Sequence, residues 1–181
     1  MRFAYYDRLS RANKEIYRRS DGIETLGLPR ALELGPTVRA IEAALRGDDR
    51  NSVQGECVRL IDALTGGYRV PGVGVRVMAK RPSDNYGELH GLYEPGEKGS
   101  RARITVWMRT AQRQQVVAFR TFLRTLVHEL CHHLDYELFS LEETFHTEGF
   151  YKRESSLVSA LLAQSRGADP TPEAGGRASR S

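Results

Sequence analysis

The stretch HELCHHLDYE, residues 128 to 137, gathers three of the chain's five histidines and four carboxylate or tyrosine side chains into one short run. Within it His128, Glu129 and His132 form an HExxH pattern. An α-helix turns about 100° per residue, so side chains four apart share a face, and the imidazoles of His128 and His132 can reach one metal ion. By the same arithmetic His132 stands about 40° from His128 and Asp135 at about 340°, whereas Phe119, Leu123, Leu126 and Leu130 fall at roughly 160° to 220°. The pair points away from the apolar stripe, toward a face that can border a cleft.

A catalytic zinc ion, Zn2+, normally takes three protein ligands and keeps a fourth position for water, whose pKa it lowers toward about 7. Glu129, next to the first ligand, is placed as the general base that takes the water's proton and later passes it to a leaving amine. The third ligand must come from downstream. A compact HExxHxxGxxH site is excluded, because Asp135 and Leu138 stand where its glycine and third histidine would be. His146 and Glu154 are the candidates. Asp135 is either a hydrogen-bond acceptor for a ligand imidazole or an exposed helix carboxylate. Tyr136, Tyr151, Arg153 and His90 are possible donors to a developing oxyanion. His133 reads as a helix-flank residue, and His90 otherwise as a structural residue or a substrate contact.

The elements that must position these groups follow from pattern. Val116, Phe119, Leu123, Leu126, Val127, Leu130 and Leu134 recur at helical intervals, which predicts a long helix from about Gln114 to Phe139. A further helix is expected over EGFYKRESSLVSALLAQ. Upstream, VGVRVMAKRP, GELHGLYEP and RARITVWMR have β-branched or aromatic residues at alternating positions between Pro and Gly, the pattern of three short strands. The first part of the chain, to about residue 67, reads as helical: DRLSRANKEIYRRS, then LPRALELGPTVRAIEAALRG interrupted at Gly35 and Pro36, then NSVQGECVRLIDALTGGY stopped by Gly66 and Gly67. Together these make one α+β domain over residues 1–165, a small sheet packed on the HExxH helix with a helical N-terminal segment. Residues 166–181 lack apolar side chains and are expected to be a disordered tail.

Composition sets the outer limits. With 181 residues, 40% hydrophobic and 28% charged, the chain has the balance of a single soluble domain. No secretory signal and no 18-residue apolar run is visible, and the two cysteines, Cys57 and Cys131, cannot build a disulfide framework or a zinc ribbon. A cytoplasmic setting without membrane contact is expected. The net charge of +4 is unevenly spread: Lys98 to His128 holds seven basic and no acidic residues, and Glu129 to Tyr151 six acidic and no basic ones. Basic clusters of this kind suit an anionic partner such as DNA, although a solvated face is their commoner use.

LVHELCHHLDY followed by FHTEGFYKR resembles the SprT-like (Spartan-type) zinc metalloprotease domain, in which a loop after the active helix carries a third histidine in an HxxxF/W setting. His146 and Phe150 match that setting, and the resemblance covers roughly Gly55 to Gln164. It implies a zincin-like fold, zinc held by His128, His132 and His146, and hydrolysis of a protein or peptide substrate. It further implies that Arg103 to Arg109 pairs with the substrate as an edge strand, and that DNA-associated proteins are targets, recruited through basic segments. The glycine common after the family's third histidine is Thr147 here.

Overall fold

A computed structural model of the chain describes residues 3–84, 87–97 and 99–167. Among these the architecture is α+β: five α-helices and a three-stranded mixed sheet, with a helical N-terminal segment. After a 3-10 turn at Tyr6–Arg8 come α1 (Arg11–Asp21), α2 (Gly35–Arg46) and α3 (Arg50–Tyr68). Ser10 and Asp49 cap α1 and α3 by accepting hydrogen bonds from first-turn backbone N–H groups that have no partner within the helix.

Two helix boundaries in the N-terminal segment differ from expectation. Gly35 and Pro36 begin α2 and do not interrupt a helix; a proline in the first turn lacks only an N–H that the helix would leave unpaired. Gly66 and Gly67 lie inside α3, which ends one residue later with Arg69 in the left-handed region at φ 59°. Gly67 is kept small by Pro29 and Leu32, which pack against it too closely for a side chain.

The sheet runs β1 (Gly74–Lys80), β5 (Arg103–Arg109), β4 (Gly91–Glu94), with β1 parallel and β4 antiparallel to β5. A separate hairpin pairs β2 (Ser83–Asp84) with β3 (Gly87–Glu88), so the stretch expected as one strand, GELHGLYEP, is divided at Leu89 and His90. Residues Ile104 to Met108 are buried without alternation, as in a strand covered on both faces. This corrects the expectation for Arg103 to Arg109. The strand lies in the sheet centre with both edges paired, so it cannot accept a substrate strand; the outer edges belong to β1, where Arg50 and Gln54 of α3 bond the backbone of Val75 and Val77, and to β4.

The HExxH helix, α4, spans Phe119–Glu137 and starts later than its apolar pattern implied. Residues 110–118 instead fold back on β5: Val116 bridges Arg109, and Val117 N donates to Met108 O at 2.7 Å. Thr147 caps α5 (Glu148–Arg166) by accepting from Phe150 N, which gives it a local purpose. One core joins Leu60 and Leu64 of α3, Val77, Ile104 and Val106 of the sheet, and Leu126 and Leu130 of α4 with Phe150 and Leu157 of α5. Burying each such side chain contributes about 1.5–3 kcal/mol, enough to fix α4 against the sheet. Cys57 and Cys131 are free and buried, and among the described residues no helix is long and apolar enough to cross a membrane. The expected tail falls outside the described residues except for Arg166 and Gly167, where α5 ends.

Candidate metal centre

His128 and His132 project from the middle of α4, one turn apart, and His146 reaches them from the connection between α4 and α5. Their Nε2 atoms converge: His128 to His146 is 2.9 Å, His132 to His146 3.1 Å and His128 to His132 3.3 Å. What lies behind the rings decides what these nitrogens can do.

Glu154 Oε2 is 2.8 Å from His128 Nδ1. A carboxylate only accepts, so the Nδ1 bears the proton and Nε2 the lone pair. The same logic reaches His132 through an intermediary. Thr144 Oγ1 donates to Asp135 Oδ2 at 2.7 Å, which leaves the oxygen to accept from His132 Nδ1 at 2.8 Å. Two Nε2 lone pairs therefore face one another. Burial, reinforced by the neighbouring imidazoles, pushes His132 down to about 3 and lowers His146, so both rings are neutral at ordinary pH. Neutral imidazoles with converging lone pairs repel unless a cation lies between them, and three histidines are a donor set that zinc accepts. These residues fit a metal ion.

Glu129 is buried at the edge of this cluster. Desolvation pushes its carboxyl up to about 7, opposed by the His128 imidazole and a hydrogen bond from the Tyr93 backbone. Strand β4 passes directly over it. A Cβ on Gly91 would collide with Glu129 Oε1 and come within 2.8 Å of Thr125 Cγ2. The absence of a side chain at residue 91 thus sets how closely the open edge approaches the carboxylate.

A cleft of about 680 Å³ opens in front of the three histidines, walled by His90 and Leu92 on one side and by Thr125, Tyr136 and Tyr151 on the other. Comparisons of the chain with protein-family models, curated proteins and solved structures gave no match. The chemistry has to be read from the residues themselves.

Several of those residues sit differently from expectation. Asp135 is neither exposed nor bonded directly to one of the three imidazoles: it is fully buried, acts on His132 through Thr144, and receives Arg153 Nη2 at 2.6 Å. Arg153, considered as an oxyanion donor, is fully buried too, and its guanidinium also donates to Ser20 O and Ser20 Oγ, each at 2.9 Å. It cannot turn to the cleft. His133 is not on the helix flank but in the core, where Nε2 donates to Pro71 O at 2.7 Å and Nδ1 faces the Tyr93 hydroxyl at 3.2 Å. Tyr136 lines the cleft and donates to Glu143, Tyr151 stacks on His146, and His90 is exposed on the cleft wall.

Thr144 and Gly91 were not singled out by pattern. A threonine in a loop has no spacing signal, and a glycine ahead of an apolar strand residue looks like any turn. The basic residues are partly committed: Arg109 pairs with Asp48, and Arg101 donates to Gly72 O at 2.8 Å and lies near Asp62.

Proposed function

We propose that the chain is a zinc-dependent metallopeptidase, with His128, His132 and His146 as the ligands and Glu129 as general base. The observation that carries this reading is the convergence of three imidazole Nε2 atoms beside a buried carboxylate, at the floor of an open cleft. The SprT-like resemblance of the motif supports it. Zinc bound there supplies a Lewis acid that polarises the scissile carbonyl and makes water more acidic.

The chain's own residues perform the rest. An extended peptide adds to the open edge of β4, where main-chain hydrogen bonds hold it with little dependence on side chains. That edge, in place of Arg103 to Arg109, presents the peptide bond to Glu129. Glu129 takes a proton from the attacking water as its oxygen bonds the carbonyl carbon. It returns that proton to the amide nitrogen as the C–N bond breaks, yielding a carboxylic acid and an amine.

Gluzincin-type ligation through Glu154 is the weaker arrangement, since both of that carboxylate's oxygens are occupied, by His128 Nδ1 and by Arg124 Nη1 at 2.5 Å. The test is a zinc measurement paired with a cleavage assay. Purified protein should carry about one zinc per chain and cleave an unfolded protein, and Glu129→Gln should keep the zinc and lose cleavage. Protein that takes up no zinc, or a Glu129→Gln variant that cleaves at the original rate, would overturn the reading.

A further inference from the structure

His128 and His132 are placed by the backbone of one helix, but His146 belongs to a stretch, residues 138–147, without regular secondary structure. A ligand on such a stretch binds well only if something else has already ordered it, because the conformational entropy is otherwise lost at binding. The N-terminal segment supplies that order. Tyr5 donates its hydroxyl to the carbonyl oxygen of His146 at 2.7 Å. On either side of this bond the segment grips the same connection and the start of α5: Arg19 pairs with Glu142, Tyr17 packs on Phe145 at 6.2 Å, and Asp21 Oδ1 accepts from Gly149 N at 3.0 Å. Gly149 has no room for a side chain against the backbone of Asp21. Phe3 packs on Tyr151, whose ring stacks on the His146 imidazole at 5.8 Å and 19°.

We propose that Tyr5 is a positioning residue for the third imidazole, which makes the N-terminal segment an integral part of the metal centre. This rests on the reading of His146 as a ligand. The Tyr5 hydroxyl bonds the ligand's own peptide unit and so fixes the stem from which the ring extends. Linkage makes the relation reciprocal: whatever factor the ordered segment adds to metal affinity, bound metal returns as protection of the segment. Detachment of residues 3–21 would therefore weaken the centre without touching α4.

The test compares Tyr5→Phe with Tyr68→Phe in the full chain. Tyr68 also donates its hydroxyl to a backbone carbonyl, that of Gly27 at 2.9 Å, and neither residue lines the cleft, so it serves as a control for the general loss of such a bond. Zinc affinity is measured by chelator competition, and the ligand field by the visible absorption of bound Co2+. Tyr5→Phe should weaken zinc binding about five- to tenfold and alter the Co2+ spectrum, with Tyr68→Phe matching the original chain in both. In a His146→Ala background, Tyr5→Phe should have no further effect, since the ligand it positions is gone. Equal affinity in Tyr5→Phe and Tyr68→Phe, or an undiminished Tyr5→Phe effect in the His146→Ala background, would overturn the proposal and leave the metal centre in place. Zinc binding indifferent to His128→Ala would remove both.

Discussion

Glu154 Oε2 lies 2.8 Å from Nδ1 of His128, on the far side of the ring from the Nε2 that meets His132 and His146. The carboxylate thus acts behind the imidazole. It fixes the tautomer, raises the basicity of Nε2 and in turn is held by Arg124. Thr144 and Asp135 perform the corresponding service for His132.

A first prediction separates ligand from support. Glu154→Gln should cost about 10–100-fold in zinc affinity, the range for partners that orient a ligand, and His146→Ala should cost more. Metal titration by chelator competition gives the order. The reverse order would assign Glu154 to the metal.

Gly91→Ala tests the approach of β4 to Glu129, the proposed general base. The added methyl has no space beside Glu129 Oε1 and Thr125, so the strand or the carboxylate must shift. A misplacement of about 1 Å can cost on the order of 100-fold in rate. Cleavage should fall by roughly that factor with zinc content unchanged; undiminished kcat would show that the carboxylate tolerates the shift.

The Asp135 and Arg153 pair should matter to folding as well as to the site. Both side chains are fully buried, and removing one partner leaves the other charge without compensation. Asp135→Ala is expected to lower stability by about 3–5 kcal/mol, read from the urea midpoint with the m-value checked for constancy. A loss under about 1 kcal/mol would mean that Arg153 finds another acceptor or water.

Recruitment by DNA, the remaining expectation, has a narrower basis than the charge run suggests, because Arg101 and Arg109 already have acidic neighbours. Arg103 and Arg113 are exposed. If they contact phosphate, DNA should accelerate cleavage of a DNA-bound protein, salt should abolish the gain, and charge reversal at both should diminish it. Equal rates with and without DNA across the salt series would restrict the proposal to a peptidase without nucleic-acid recruitment.

The pairing of His128 with His132 was the most legible part of the sequence. Residues His128 and His132 are related by helix geometry alone, and 3.6 residues per turn brings them to one face in any fold that keeps the helix, with Glu129 about 100° round beside them. Apolar periodicity gave the α4 and α5 cores and the helical N-terminal segment for the same reason. Period-2 patterning found β1 and β5, but hydrophobic type does not report how many neighbours a strand has. The central place of β5 therefore needed the sheet, although its run from Ile104 to Met108 carried a sign of double-sided burial.

Tertiary structure alone decided the relations between distant parts of the chain. Whether His146 or Glu154 stood nearer the Nε2 atoms depended on how residues 138–147 crossed back over α4, and no local preference specifies that path. The charge of Asp135 gave no hint of its burial, since its partner Arg153 is a turn into another helix and is itself anchored on Ser20. Tyr5 touches His146 across 141 positions of sequence. Periodicity records which face of an element is apolar, whereas a polar side chain's partner is chosen by packing of whole elements, where the cost of an unsatisfied buried group selects one arrangement.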